Sequence, residues 1–327
     1  MSPEPYYADE QVTLLLGDTL DVLRTMPDAS VDCCVTSPPY YGLRDYGVAG
    51  QYGLEPTVAE YVETMRAVFA EVRRVLADDG TLWLNIGDSY SGGSRSTYHA
   101  DSQTKSVRSH GHAETRPVTG LPGKNLLGMP WRVAFALQDD GWILRSDIAW
   151  HKTNAMPESV TDRPAANYEH VFLLAKQPAY HFDLDAIRAP LNRPEALKSG
   201  LVFGGAKGAA GKLGGSGRRP GGNPSVHGHG GEVSNGRNPG SVWSIPTAPY
   251  PEAHFAVMAP ELAKRCIKAG CKPGGTVLDP FSGSGTTGEA ARMLGRRYVG
   301  IDLNPAYHDL AVKRFVQPVL DFADGAA

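Results

Sequence analysis

The sequence predicts an α/β protein built on a doubly wound, mainly parallel sheet. Three observations carry that expectation. Short apolar runs of strand type alternate with amphipathic runs of helical period along most of the chain, the pattern of a parallel sheet covered on both faces. Several apolar runs close on an acidic or hydroxyl residue: Asp18, Ser37, Asp88, Asp279 and Asp302. Ligands of such sheets sit at the carboxyl ends of strands, so these residues point to one shared site. Finally, a glycine turn, Gly283-Ser284-Gly285, stands between a strand run and a helix start, as in a Rossmann-like nucleoside pocket.

The elements follow in order. Residues 12–16 read as a strand ending at Gly17-Asp18, and 19–26 as a short helix. Residues 31–35 form an apolar strand that runs into Ser37-Pro38-Pro39-Tyr40. Val62, Met65, Val68, Phe69, Val72 and Leu76 recur at helical spacing and predict a long helix over 58–76, stopped by Asp78-Asp79-Gly80. Residues 81–86 are a strand ending at Gly87-Asp88, and 130–138 a helix with Pro130 in its first turn. Residues 142–150 and 170–175 read as strands and 259–269 as a helix. The strand at 276–278 enters the glycine turn, a helix over 287–294 leaves it, a strand over 298–301 ends at Asp302, and a last helix spans 305–316.

Composition bounds the function classes. The chain of 327 residues, 41% hydrophobic and 20% charged, has an ordinary globular balance, and by length alone it suggests two domains. No run of 18 apolar residues exists, so no membrane span is expected. The start, Met1-Ser2-Pro3-Glu4-Pro5, lacks the basic-then-apolar pattern of a signal peptide, which predicts a cytoplasmic protein. Cys33, Cys34, Cys266 and Cys271 have neither metal spacing nor a disulfide framework and read as buried, reduced thiols. The pairs His110/His112 and His227/His229 lack cysteine partners, so no metal is expected. The formal net charge is -3, but its distribution is uneven. Between residues 191 and 240, Arg193, Lys198, Lys207, Lys212, Arg218, Arg219 and Arg237 face only Glu195 and Glu232, a local excess of five positive charges. A basic surface of that kind suits phosphate contacts, and its glycine content reads as a segment that orders on a ligand.

Two motifs carry the chemistry. Asp279-Pro280-Phe281-Ser282-Gly283, continuing through Gly285 and Thr286, is a strand end, a turn and a helix start; Asp302 closes the next strand 23 residues on, near the spacing at which a carboxylate takes ribose hydroxyls. Far upstream, Thr36-Ser37-Pro38-Pro39-Tyr40 leaves its strand rigidly, because two prolines cannot extend a sheet. That fixes the Ser37 and Pro38 acceptors beside the Tyr40 ring. Acceptors that hold both hydrogens of an aromatic exocyclic amine favour a pyramidal nitrogen and free its delocalised lone pair. An aromatic ring stacks on a base at roughly 1–3 kcal/mol.

This pair of motifs resembles the amino-group DNA methyltransferases, and the order, tetrad first and cofactor turn last, is similar to their beta class. The resemblance covers about residues 14–315. It implies the class I methyltransferase fold in permuted order, with S-adenosylmethionine as cofactor and double-stranded DNA as substrate. The target base would be flipped from the duplex to reach the tetrad. It further implies catalytic roles for Ser37, Pro38, Pro39 and Tyr40, and cofactor contacts from Asp18, Phe255, Asp279, Pro280, Phe281, Ser282, Gly283, Gly285, Thr286 and Asp302. Asp18 reads equally well as a helix N-cap, and Asp88 equally well as a strand-end turn residue or part of a base pocket. Phe255 lies in Glu252-Ala253-His254-Phe255-Ala256, which resembles the element closing over the methionine end of the cofactor. Serine at the head of the tetrad goes with cytosine N4 in that family; adenine N6 is the alternative, and a catalytically silent DNA-binding relative a third reading. Carbon-5 methylation is rejected, since no Pro-Cys pair occurs. The expected division is a catalytic half at 1–189 with an insertion at about 91–125, a glycine-rich basic target-recognition region at 190–245, and a cofactor half at 246–327. Arg44, Arg218, Arg219 and Arg237 are the DNA-contact candidates. A restriction endonuclease is the expected functional partner, and the chain is expected to be a monomer or homodimer.

Overall fold

A computed structural model of the chain describes residues 4–43, 47–91, 120–190, 236–248 and 258–316. Among them run β1 (Tyr7–Ala8), β2 (Val12–Leu16), α1 (Thr19–Thr25), β3 (Val31–Thr36), α2 (Val58–Val75), β4 (Leu76–Ile86), α3 (Met129–Asp139), β5 (Ile143–His151), β6 (Tyr168–Ala175), β7 (Val242–Ser244), α4 (Pro260–Gly270), β8 (Thr276–Asp279), α5 (Thr286–Met293), β9 (Arg297–Asp302) and α6 (Pro305–Val316). The strands form one sheet in the order β1-β2-β9-β8-β3-β4-β6-β5-β7. Strands β2, β9, β8, β3 and β4 are mutually parallel. Strand β6 runs against β4 and β5, and β1 against β2.

From β3 to β4 the chain steps toward one edge of the sheet, and from β8 to β9 toward the other. The switch point therefore lies between β8 and β3, where a doubly wound sheet opens its ligand crevice at the carboxyl ends. Packing supports the arrangement. Strand β8 is buried throughout, and β3 at every position but Asp32. Tyr61, Met65, Val68, Phe69 and Val72 of α2 are fully buried against one face of the sheet. Thr57 caps α2 by accepting from the Glu60 N–H at 3.2 Å.

Asp78-Asp79-Gly80 do not end α2 by a turn, as expected. The helix stops at Val75, Leu76 is already extended (φ -75°, ψ 137°), and β4 runs straight through the triplet. Asp78 pairs with Lys176 at 3.1 Å and Asp79 with Lys272 at 2.5 Å. The excess residues are taken up as a bulge: Val31 pairs with Leu76, but Cys33 already pairs with Thr81. Gly80 is required there, because a Cβ would lie 2.9 Å from the Asp32 carbonyl oxygen. Strands β1 and β7 were not anticipated; at two and three residues they are too short to show a period.

The chain divides into two compact units: Met1–Ala186 together with Gly240–Ala327, and Ile187–Pro239. Within the second, Ala189 and Arg237 exchange main-chain hydrogen bonds of 2.8 and 2.9 Å. The insertion expected at about 91–125 and the recognition region expected at 190–245 lie largely outside the described residues. No helix among the described residues is long and apolar enough to cross a membrane.

Candidate active site

The two motifs meet at the switch point. Thr36, the last residue of β3, donates its hydroxyl to Asp279 Oδ1 at the end of β8 at 2.6 Å, across 243 residues of sequence. Asp279 is almost wholly buried and also accepts from the Phe281 N–H at 3.1 Å. Burial pushes its carboxyl up to about 6, against the hydrogen bonds from Thr36 and Thr287. Asp279 thus ties the turn to the tetrad strand from inside.

The turn presents main chain outward and keeps its side chains in. Ser282 Oγ accepts from the buried Tyr298 hydroxyl at 2.9 Å. Thr286 Oγ1 accepts from the buried Arg314 guanidinium at 3.1 Å. The Pro280 carbonyl accepts from Thr19 Oγ1 at 2.8 Å, which seats α1 against the turn. Gly283 (φ 52°) has open space where a Cβ would stand, and its N–H donates to Asp302 Oδ2 at 2.8 Å. Asp302 Oδ1 accepts from the Asn304 N–H at 2.8 Å, and burial raises this carboxyl above its ordinary value. Gly285 (φ 77°) starts α5 without a side-chain cap, leaving first-turn N–H groups for an anion or a polar ligand.

Asp18 is the N-cap of α1, accepting from the Leu20 and Asp21 N–H groups at 2.9 and 3.1 Å. Its second oxygen accepts from Tyr52 at 2.8 Å, and the Tyr52 ring meets Phe281 edge-on with centroids 5.6 Å apart. Asp88 likewise serves a helix: it accepts from the N–H groups of Gly128 and Met129, both at 3.0 Å, and caps α3.

The tetrad is clamped on both sides. Tyr61 donates to the Pro39 carbonyl at 2.8 Å. The Tyr40 ring lies on Gly87, where a Cβ would come within 2.5 Å of it. The Tyr40 hydroxyl receives Ser37 Oγ at 3.3 Å and donates to Glu169 Oε2 at 2.7 Å. Asn85 also donates to that oxygen, at 3.0 Å, and Lys152 pairs with the other. Asp302 and Asp279 end β9 and β8, Ser37, Gly87 and Lys152 directly follow β3, β4 and β5, and Glu169 lies at the start of the antiparallel β6, so all six stand at one end of neighbouring strands. Sequence reasoning missed Glu169, Asn85, Thr19 and Tyr52, and quoted Thr36 without its Asp279 partner. Their signal is tertiary, except that Asn85 is a polar residue in an otherwise apolar strand. Arg44, Arg218, Arg219 and Phe255 lie outside the described residues. Arg237 belongs to the Ile187–Pro239 unit, where its guanidinium donates to the Asn238 carbonyl at 3.3 Å.

The model of the N6/N4 methyltransferase family, described as DNA methylase, matches residues 31–313. The chain belongs to the N6/N4 DNA methylase family. Type II methyltransferase M.XycI of Xanthomonas campestris pv. cyanopsidis is 46% identical over 314 residues, covering 96% of this chain and 90% of that protein. Type II methyltransferase M.Cfr9I of Citrobacter freundii is 45% identical, covering 92% and 87%. Among solved structures, the PvuII cytosine-N4-specific DNA methyltransferase superposes with a TM-score of 0.64 at 18% identity, over 97% of this chain and 91% of that one. That likeness establishes the class I-like fold. S-adenosylmethionine is the methyl donor of this methylase family, and the residues present fit it. The open side of Gly283, the uncapped start of α5 and the Tyr52–Phe281 wall form a cradle of main-chain donors and aromatic surface.

Proposed function

We propose that this methylase transfers a methyl group to the exocyclic N4 of cytosine in double-stranded DNA. The observation that supports the reading is the Thr36–Asp279 link, which sets a tetrad headed by Ser37 directly beside the glycine turn. When bound, S-adenosylmethionine supplies an already activated sulfonium methyl group. The chain's task is then positioning and charge management more than strong base catalysis. Asp302 and the Gly283–Gly285 backbone would hold the nucleoside end. Phe281 and Tyr52 would flank the adenine, and Asp18 would orient Tyr52. Ser37 Oγ and the Pro38 carbonyl would accept the two amine hydrogens, and the Tyr40 ring would take the base face. Serine at the head of the tetrad favours cytosine.

The same reading assigns DNA recognition to residues 190–245 with Arg218, Arg219 and Arg237, helped by Arg44. It sets the enzyme in the cytoplasm beside a restriction endonuclease, acting as a monomer or homodimer. The test is incubation of the purified chain with S-adenosylmethionine and unmodified genomic DNA, followed by nucleoside mass spectrometry. N4-methylcytosine is the expected product. N6-methyladenine alone would transfer the assignment to adenine, and no methylated nucleoside would overturn the enzyme reading.

A further inference from the structure

The hydrogen bonds around Tyr40 run one way, and their direction selects what the site can hold. Glu169, at the start of β6, is a carboxylate and can only accept. Its Oε2 takes the Tyr40 hydroxyl at 2.7 Å and Asn85 Nδ2 at 3.0 Å; its Oε1 takes the Lys152 ammonium. Asn85 cannot turn its amide round, because Nδ2 also donates to the His170 carbonyl at 3.1 Å. The pair is sheltered, with side-chain exposures of 16% for Glu169 and 23% for Lys152, and the ammonium sits 4.9 Å from the centroid of the Trp150 ring. A phenol has one proton, and both acceptors near it, Glu169 Oε2 at 2.7 Å and the more distant Asn85 Oδ1 at 3.4 Å, lie on the side away from donation to Ser37. Given to either, it leaves the Tyr40 oxygen as an acceptor toward Ser37 Oγ, 3.3 Å away. Ser37 therefore donates to Tyr40 and keeps its lone pairs for the substrate.

We propose that Glu169, paired with Lys152, is a positioning residue that fixes the polarity of the Ser37 hydroxyl, so that the site accepts an exocyclic amine and rejects a carbonyl at the same place on a flipped base. An amine brings hydrogens to the Ser37 lone pairs. A base with a carbonyl there, as in thymine or guanine, brings oxygen against oxygen and leaves both acceptors without a donor. The inference rests on the proposed function and deepens it.

The experiment measures transfer of tritiated methyl from S-adenosylmethionine to unmodified genomic DNA by the full chain and three variants, with cofactor affinity and thermal unfolding recorded for each. In Glu169→Gln the side chain has one acceptor oxygen instead of two. Lys152, the charged donor, takes it, and the amide nitrogen then faces Tyr40 and Asn85 Nδ2, so that the Tyr40 proton loses its near acceptor and is left with Ser37 Oγ or the longer contact to Asn85 Oδ1. Turnover should fall about tenfold or more, with cofactor affinity unchanged. Adding Lys152→Met removes the competing donor and lets the amide oxygen turn back to Tyr40. The double variant should recover about fivefold or more over Glu169→Gln, a rescue that a general loss of charge would not give. Tyr40→Phe keeps the ring but severs the relay, and should lose about fivefold or more.

Glu169→Gln at the wild-type rate overturns the proposal. A double variant as slow as the single one also overturns it, marking Glu169 as a charge or proton requirement. If Glu169→Gln does not fold, full turnover in Tyr40→Phe overturns it alone. A wild-type chain that methylates no DNA removes the proposed function and this inference together. An active wild type with indifferent variants removes only the inference.

Discussion

At the scale of single residues, the two acids of the cofactor turn have different tasks and should fail differently. Asp302 receives the Gly283 and Asn304 N–H groups at the end of β9. Asp302→Ala should raise the S-adenosylmethionine dissociation constant about tenfold or more, the loss of roughly 1.5–3 kcal/mol for hydrogen bonds to a charged group. Calorimetry on a folded variant checks this, and unchanged affinity would remove Asp302 from the site. Asp279 is internal, and its prediction concerns pH. Its carboxyl is raised from 3.8 to about 6 in the folded chain, so the native state binds the extra proton. Stability from this group is therefore complete below about pH 4 and is lost as pH rises to about 6, by up to about 3 kcal/mol. Asp279→Asn keeps an acceptor for Thr36 and cannot ionise. Denaturant unfolding from pH 4 to 7 should show the wild type losing ground to this variant across that window, and parallel curves would contradict the burial argument.

At the scale of elements, the tetrad depends on a strand that contributes no reactive group. Gly87, just past β4, gives the Tyr40 ring its seat. Gly87→Ala would put a Cβ within 2.5 Å of a ring whose hydroxyl is already held by Glu169, so the ring must tilt. Turnover should drop about tenfold or more while cofactor affinity stays within about twofold, because Gly87 lies outside the glycine turn, the α5 start and the Tyr52–Phe281 pair that make the cradle. Equal turnover would show that the Tyr40 ring tolerates displacement. The same strand shows how far sequence reasoning reaches. The strands from β2 to β9 that carry the motifs were legible from apolar runs and turn chemistry, and so were the tetrad and the glycine turn, since each is contiguous. The start of β4 was not: Asp78-Asp79-Gly80 reads locally as a turn, yet the strand already begins at Leu76 and passes through it beside β3. Glu169 was not legible either. Nothing near it in sequence says that β6 would lie antiparallel beside β4 and bring it to Tyr40.

At the scale of the whole molecule, charge is separated along the chain: a net -3 overall, with an excess of five positive charges between residues 191 and 240. If that segment carries the DNA contacts, neutralising Arg218, Arg219 and Arg237 together should weaken DNA binding. The slope of log affinity against log salt should fall by up to about one unit per lost phosphate contact. Cofactor affinity should not move. Fluorescence titrations at several salt concentrations read both, and an unaltered slope would shift recognition elsewhere in the chain.

The sheet order has a consequence for how the enzyme is made. Strands β2 and β3 leave the ribosome early, yet they do not pair with each other. The slot between them is filled by β8 and β9, which are translated last. Until then the nascent chain carries two open strand edges in the middle of its future sheet, the kind of surface that recruits other extended chains or a chaperone. The tetrad is synthesised long before its Asp279 anchor exists. A product that ends after α4 would hold the Ser37–Tyr40 tetrad without the glycine turn.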